Sequence, residues 1–257
     1  MLGELSDPAA RLCQAVQRYT DGLHVAAEQL VGPQTVAELD QADQHIPGLT
    51  TEPTWPTLRA HLLALAAETG QDPLRHLLKA ASGRDLDTAG DMAAVLDWRL
   101  PALTPTDPGP LPWLPGIPST FRADPVWGDY LAKRSQLVAD LAGQVQDHVC
   151  QGDRPPAWAS PGIHLSTALV REIAVWRAAN GINPQDPQPT GGTQLETLRA
   201  LWKQRLDRDV ALATYPQADA RTNKRQAGRT ALNRSDDRQR PYQKPKRRPS
   251  GPAAPRR

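Results

Sequence analysis

Apolar residues recur at steps of three and four along much of the chain, which is the spacing of one face of an α-helix. Between residues 8 and 31 the series is Leu12, Val16, Tyr19 and Leu23, and similar series follow it. No stretch combines two-residue alternation with the turn residues of a hairpin, as paired strands would require. The pattern therefore predicts an all-α fold, an irregular multi-helix domain.

Proline and glycine mark where the predicted helices begin and end. Ser6 or Asp7 before Pro8, and Asp72 before Pro73, place a capping side chain ahead of a proline at the first helical position. These two helices should end near Gly32 and Gly83. The remaining helices are predicted over 34–44, from 54 to about 70, over 89–100, from 124 past 149, over 165–180, and from a capping box at Thr193–Glu196 to about Thr214.

A proline-rich stretch interrupts the helices: residues 101–118 hold seven prolines in eighteen positions, a density that neither a helix nor a central strand tolerates. Every third residue from 112 to 118 is a proline, as in a polyproline II helix. One interpretation is a ligand for the aromatic groove of a protein partner. The other is a stiff strap whose apolar residues pack on the helices. The candidate docking residues are Pro112, Trp113, Pro115, Ile117 and Pro118.

These breaks divide the chain into five predicted segments. The first two, 1–50 and 51–100, are helical, and the third, 101–123, is the proline-rich connector. The fourth, 124–215, is helical again. The last, 216–257, is basic and almost without large aliphatic residues, so we expect it to be disordered when free.

Charge is distributed very unequally along the chain. Residues 221–257 contain thirteen of the thirty Lys and Arg but two of the twenty-eight Asp and Glu, so they carry +11 and the rest carries −9. Such asymmetry is typical of a chain with an acidic partner, of which nucleic acid is the commonest. The alternative is a solvated tail without a specific partner. The candidate DNA-binding residues are Arg221, Lys224, Arg225, Arg229, Arg234, Arg238, Arg240, Lys244, Lys246, Arg247 and Arg248.

Indole rings beside cations are a second candidate for nucleic-acid binding. Trp98-Arg99, Trp176-Arg177 and Trp202-Lys203 are sequence neighbours, and Tyr130 lies four residues before Arg134. Aromatic rings that stack bases next to cations that hold phosphates form single-strand grooves. Neighbouring positions on a helix face different ways, however, and with seven Trp and one Phe the chain needs tryptophan for its core. We therefore favour core tryptophans.

Motifs for catalysis are missing from the sequence. It contains no G-x-x-x-x-G-K-[ST] loop, no G-x-G-x-x-G turn and no H-x-H or H-E-x-x-H spacing. We therefore predict no enzyme activity, catalytic residue, cofactor or metal, and we expect Cys13 and Cys150 to be buried apolar residues. No apolar run approaches the length of a membrane span and the start of the chain is acidic, which favours a cytoplasmic protein without membrane insertion.

Four tryptophan-rich segments carry a family resemblance: 84–100, 110–118, 124–131 and 174–181. They resemble the C-terminal region of large conjugative relaxases of the TrwC/TraA type, the MobF family, and the similarity runs from about Trp55 to Leu212. The full-length relaxases carry a DNA-nicking domain with tyrosine nucleophiles and a histidine-bound metal, followed by an ATP-driven helicase. The motifs of both activities are missing here, so the resemblance transfers no catalytic residue.

Three hypotheses follow for function. The first is a non-catalytic relaxase module that contributes sequence-tolerant DNA binding, on single strands or without strand specificity, through its basic tail. The second is an adaptor that docks on the secretion coupling protein or on the relaxase-helicase body. The third is a truncated remnant without a present role.

Overall fold

The computed structural model describes residues 7–82, 86, 89–101, 103, 108–151, 156, 158–159 and 165–214, and within them all regular secondary structure is helical. This confirms the predicted all-α class. Two short 3-10 turns, Ala42–Gln44 and Leu49–Thr51, accompany the α-helices. The α-helices in these ranges are α1 Pro8–Val31, α2 Pro33–Leu39, α3 Trp55–Thr69, α4 Pro73–Ala81, α5 Met92–Arg99, α6 Ser119–Ala123, α7 Trp127–Gln151, α8 Thr167–Ala179 and α9 Thr197–Thr214.

Asp-Pro steps begin α1 and α4 as the sequence predicts. The carboxylate of Asp7 accepts a hydrogen bond from the backbone N–H of Ala9 at 3.0 Å, and Asp72 accepts one from Leu74 at 2.9 Å. Each aspartate therefore satisfies one of the free N–H groups of a first helical turn. Gly32, with φ of 86°, ends α1 in a conformation that a residue with a Cβ adopts at a cost.

Several predicted boundaries are wrong, and α5 begins at Met92 instead of residue 89. The helix expected over 34–44 stops at Leu39, and a 3-10 turn replaces its second half. The long helix begins at Trp127 and not at residue 124, because Asp124 caps the turn through the N–H groups of Val126 and Trp127, both at 2.8 Å. The capping box at Thr193 does not form, since α9 starts four residues later.

Helix α1 is the central element of the fold. It packs against α3, α7 and α8, and Leu12, Val16, Tyr19 and Leu23 on its inner face are all buried. The predicted segments 1–50, 51–100, 101–123 and 124–215 therefore share one core, and residues 1–213 form one compact unit. None of the described helices is long and apolar enough to cross a membrane.

The two cysteines differ from the expectation that both are buried. Cys13 is half-buried, and a Cβ added to Gly181 would lie 3.3 Å from its sulfur. Cys150 is exposed in the last turn of α7, where its sulfur accepts a hydrogen bond from Nε of Arg171 at 2.8 Å. The prediction is therefore wrong for Cys150.

The end of the proline-rich connector packs on the helices as a strap. Four of its apolar side chains are buried: Leu111, Trp113, Leu114 and Ile117. The hydroxyl of Tyr19, on α1, donates a hydrogen bond to the carbonyl oxygen of Pro115 at 2.7 Å. A prolyl carbonyl that is removed from water is stabilised by such a donor, so this bond holds the strap to the central helix.

Replacing Tyr19 with phenylalanine is expected to lower the free energy of unfolding by about 1 kcal/mol at pH 7, because the Pro115 carbonyl loses its donor. Burial raises the pKa of the Tyr19 phenol. Above pH ~10 the unfolded chain therefore releases a proton that the folded chain retains, and stability falls as the pH rises. Urea unfolding between pH 8 and pH 11 should show a shallower fall for Tyr19→Phe than for the wild-type protein.

The half-exposed Tyr130 provides the matched control for this experiment. Tyr130→Phe should leave the stability at pH 7 close to that of the wild-type protein. An unchanged alkaline decline in Tyr19→Phe would contradict the assignment of the buried phenol.

Candidate nucleic-acid interface

The eleven basic residues predicted to contact DNA, from Arg221 to Arg248, lie outside the described residues, as does the whole segment after Thr214. The prediction that these residues bind DNA therefore depends on their charge alone. The structure describes the residues of the other two predicted binding features, which are the docking strap and the indole-cation pairs.

The docking residues of the strap are mostly turned inward. Trp113, Ile117 and Pro118 are buried, Pro115 is half-buried, and Pro112 is exposed. The side chains that a protein partner would need are therefore part of this chain's own core. The burial of Trp113 and Ile117 favours the strap interpretation, and docking on a protein partner stays a prediction.

Trp113 joins a cluster of three indoles. Its ring lies 5.0 Å from that of Trp176 in a T-shaped arrangement and 5.7 Å from that of Trp202. Trp176 is fully buried, and its Nε1 donates to the carbonyl oxygen of Thr190 at 3.0 Å. Trp176 is thus a core residue, and the half-buried Trp202 packs against the core, so both indoles contact other residues of the fold.

The Tyr130–Arg134 pair forms as the i, i+4 spacing predicts, with the guanidinium carbon 5.0 Å from the ring centroid. Tyr130 also packs edge-on against Trp127, whose Nε1 donates to Gln29 at 2.9 Å. These contacts tie α7 to α1. The pair is therefore engaged within the fold.

Trp98 is the exception among the seven tryptophans, all of which lie in the described residues. Its side chain is 72% exposed near the end of α5, whereas the other six are buried or half-buried. Single exposed apolar side chains are ordinary on protein surfaces, so this exposure does not by itself define a contact surface.

A basic cleft lies beside α4 and the end of α5. Its volume is about 790 Å³, within the range of small-molecule sites. Among the described residues no carboxylate lines it, and none of its three cations forms an ion pair with another described residue. The lining residues are Gln71, Arg75, His76, Lys79, Ala80, Arg99, Leu100 and Pro101.

Helix geometry and packing bring these cations together. Arg75 and Lys79 are exposed and four residues apart on α4, so they share one face. Arg99 reaches across from α5 and donates to the carbonyl oxygen of Ala80 at 3.2 Å. Desolvation, with help from Lys79 and Arg75, lowers the pKa of His76, so this ring adds little charge near neutral pH.

A histidine-carboxylate pair near the cleft has the form of a catalytic dyad. Nδ1 of His61 lies 2.8 Å from Oδ1 of the buried Asp97, and its Nε2 lies 3.2 Å from the carbonyl oxygen of Pro101. The second oxygen of Asp97 accepts from the hydroxyl of Thr197 at 2.7 Å. Both ring nitrogens are therefore engaged within the protein, and the pair joins α3, α5 and α9.

Metal-binding side chains are not grouped in the described ranges, where no three His, Cys, Asp or Glu residues stand close enough to hold an ion.

The basic cleft was not predicted from the sequence. The spacing of Arg75 and Lys79 was a usable signal, but Arg99 belongs to another helix and only the packing of α4 on α5 adds it.

Comparison with known proteins identifies no relative: no family model matches the chain, and neither a curated protein nor a solved structure matches it.

Proposed function

We propose that this chain is a non-catalytic helical module that binds DNA without reading its sequence, through the basic segment after Thr214. The supporting observation is the charge asymmetry, +11 over residues 221–257 against −9 over the rest. Lys and Arg side chains on a chain of this kind neutralise phosphates and release counterions, which gives affinity without base recognition.

The biological setting that we propose is conjugative DNA transfer. It is supported by the resemblance of the four tryptophan-rich segments to the C-terminal region of TrwC/TraA-type relaxases. In this role the module would act beside the nicking and helicase activities and would not perform them.

Neutralising part of the tail tests the proposal. In the full-length protein, replacing Lys244, Lys246, Arg247 and Arg248 with glutamine should weaken binding to a single-stranded oligonucleotide. The slope of log K against log salt should become less steep by about 2.8, at about 0.7 for each lost phosphate contact. Fluorescence anisotropy titrations at several salt concentrations measure both quantities.

The matched control removes the same number of cations from the helices and leaves the tail unchanged. Arg11, Arg18, Lys133 and Arg208 are exposed on helices away from the cleft lining. Their replacement with glutamine should change the salt slope far less. Equal losses in the two variants would mean that net charge alone, and not the tail, governs binding.

A second candidate function, the docking adaptor, is favoured by one observation on α9. Leu198, Leu201 and Leu212 leave much of their apolar surface in water on this helix, with 47%, 56% and 61% exposed. An association with the secretion coupling protein or the relaxase-helicase body that survives high salt and is lost in Leu201→Glu would support the adaptor. Loss of the association at moderate salt would support DNA binding.

A further inference from the structure

We propose that the basic cleft beside α4 and the end of α5 binds a small organic phosphate, no larger than a nucleotide. Its three cations, Arg75, Lys79 and Arg99, hold the phosphate group, and the apolar part of the lining takes the organic group. The proposal goes beyond the DNA binding proposed for the tail, because it concerns another class of ligand and residues of the helices.

The position of Arg75 is not explained by helix stability. It is the third residue of α4, in the first turn, where the helix dipole opposes a positive charge. Lys79, four residues later on the same exposed face, adds a repulsion between like charges. Asp72 caps the helix at the N–H of Leu74 and forms no ion pair with Arg75. An anion bound between Arg75 and Lys79 offsets both effects, and such departures from local rules are typical of binding sites.

Arg99 reaches the same cleft from α5. One of its terminal nitrogens donates to the carbonyl oxygen of Ala80 at 3.2 Å, so its guanidinium is held at the end of α4. A guanidinium has several N–H donors, and this bond uses one of them. The forks of Arg75 and Arg99 match pairs of phosphate oxygens, and Lys79 supplies a point charge.

The segment that joins α4 to α5, residues 82–91, cannot neutralise these cations. It contains Arg84, Asp85, Asp87 and Asp91, a balance of −2. The first three lie outside the described residues, and Asp91 accepts hydrogen bonds from the backbone and hydroxyl of Thr54. Even with the whole segment counted, the three cleft cations are in excess. Positive charge gathered at one place raises the local concentration of a small anion.

The rest of the lining fits an organic group. Ala80, Leu100 and Pro101 give the cleft an apolar side, and Gln71 adds an amide. The volume of about 790 Å³ is in the range of small-molecule sites and exceeds what a phosphate ion alone would fill. Sites of this kind combine apolar surface with a few polar groups that fix the orientation of the ligand. The lining therefore favours an organic phosphate over the inorganic ion.

His76 lies in the lining and can report whether the cleft is occupied. Desolvation lowers the pKa of its imidazole, and Lys79 and Arg75 lower it further. Of the other groups that act on it, Asp72 raises the pKa and His61, on α3, lowers it. A bound phosphate brings negative charge to the same place, so it should raise the pKa of His76.

The experiment titrates the full-length protein with phenyl phosphate and, separately, with inorganic phosphate. The imidazole resonances of His76 are followed by NMR and assigned with His76→Gln. Phenyl phosphate should raise the pKa of His76 and bind more tightly than inorganic phosphate. Arg75→Gln/Lys79→Gln, the cleft variant, should weaken phenyl phosphate binding by about tenfold or more, because two charged donors are lost. Lys133→Gln/Arg208→Gln is its matched control and should bind like the wild-type protein.

The outcomes separate the cleft from the tail. If the cleft variant binds phenyl phosphate like the wild-type protein, or if the pKa of His76 does not move, the cleft is not the site. If only the tail variant loses phenyl phosphate binding, the ligand binds the tail, and the DNA binding proposed for the tail is unaffected. Equal affinities for phenyl and inorganic phosphate would refute the organic part of the ligand. If the cleft variant loses affinity for a single-stranded oligonucleotide by the same factor, the cleft holds a nucleic-acid backbone and the small-ligand proposal is wrong.

Discussion

Replacing Trp113 with alanine is expected to lower the free energy of unfolding by about 3–5 kcal/mol. The side chain is 2% exposed and packs between the rings of Trp176 and Trp202, at 5.0 and 5.7 Å. Removing an indole leaves a cavity, and the strap cannot collapse into it freely because the Tyr19–Pro115 hydrogen bond also holds its position. Urea unfolding followed by circular dichroism measures the change.

The neighbouring Pro112 gives a control within the strap, since its ring is exposed. Pro112→Ala should change stability by less than about 1 kcal/mol. If Trp113→Ala stayed within the same small margin, the strap would not be part of the core. The docking interpretation of the strap would then become the better one.

The second large effect is expected at Arg177. This guanidinium is 5% exposed and donates to four backbone carbonyls of the loop between α8 and α9: Asn183, Asp186, Gln188 and Pro189. Arg177→Met keeps much of the volume and removes every donor. The variant should lose about 3 kcal/mol or more, because four carbonyls near the core lose a charged donor at once.

Arg177→Lys separates charge from geometry. A lysine keeps the positive charge but has no planar fork, so it cannot reach four carbonyls together. We expect Arg177→Lys to lose nearly as much stability as Arg177→Met in the same unfolding measurement. Wild-type stability in Arg177→Lys would mean that the charge, and not the fork, orders the loop.

The helix starts that depend on neighbouring residues could be predicted from the sequence. Asp7 with Pro8 and Asp72 with Pro73 contain the cap and the preset backbone angle within two residues. The periodic apolar positions of α1 gave its buried face for the same reason. Local patterns therefore predicted the class of the fold and the start of its central helix.

Boundaries set by distant contacts could not be predicted in this way. Thr193 and Glu196 satisfy the capping-box pattern, but Thr197 donates to Asp97, which lies 100 residues earlier. Glu196 pairs with Arg199 at 2.7 Å and lies in a desolvated position that raises its pKa. These contacts fix the start of α9 at Thr197.

The candidate sites differ in the same way: one depends on local sequence and the other on contacts between distant residues. The charge of the tail is a property of composition, so the sequence was sufficient to propose DNA binding there. The basic cleft needs Arg99 on α5 beside Arg75 and Lys79 on α4. That arrangement does not follow from a helical period.

The central position of α1 has a consequence for folding during synthesis. Among the described helices it comes first in the chain, and part of its cover comes much later: Gln29 waits for Trp127, 98 residues further on. At about 5–20 residues per second, the ribosome needs roughly 5–20 seconds to deliver that partner. During this interval α3 can already pack on α1 but α7 cannot, so chaperone binding to the part of α1 that α7 covers should matter more for the nascent chain than for the finished protein.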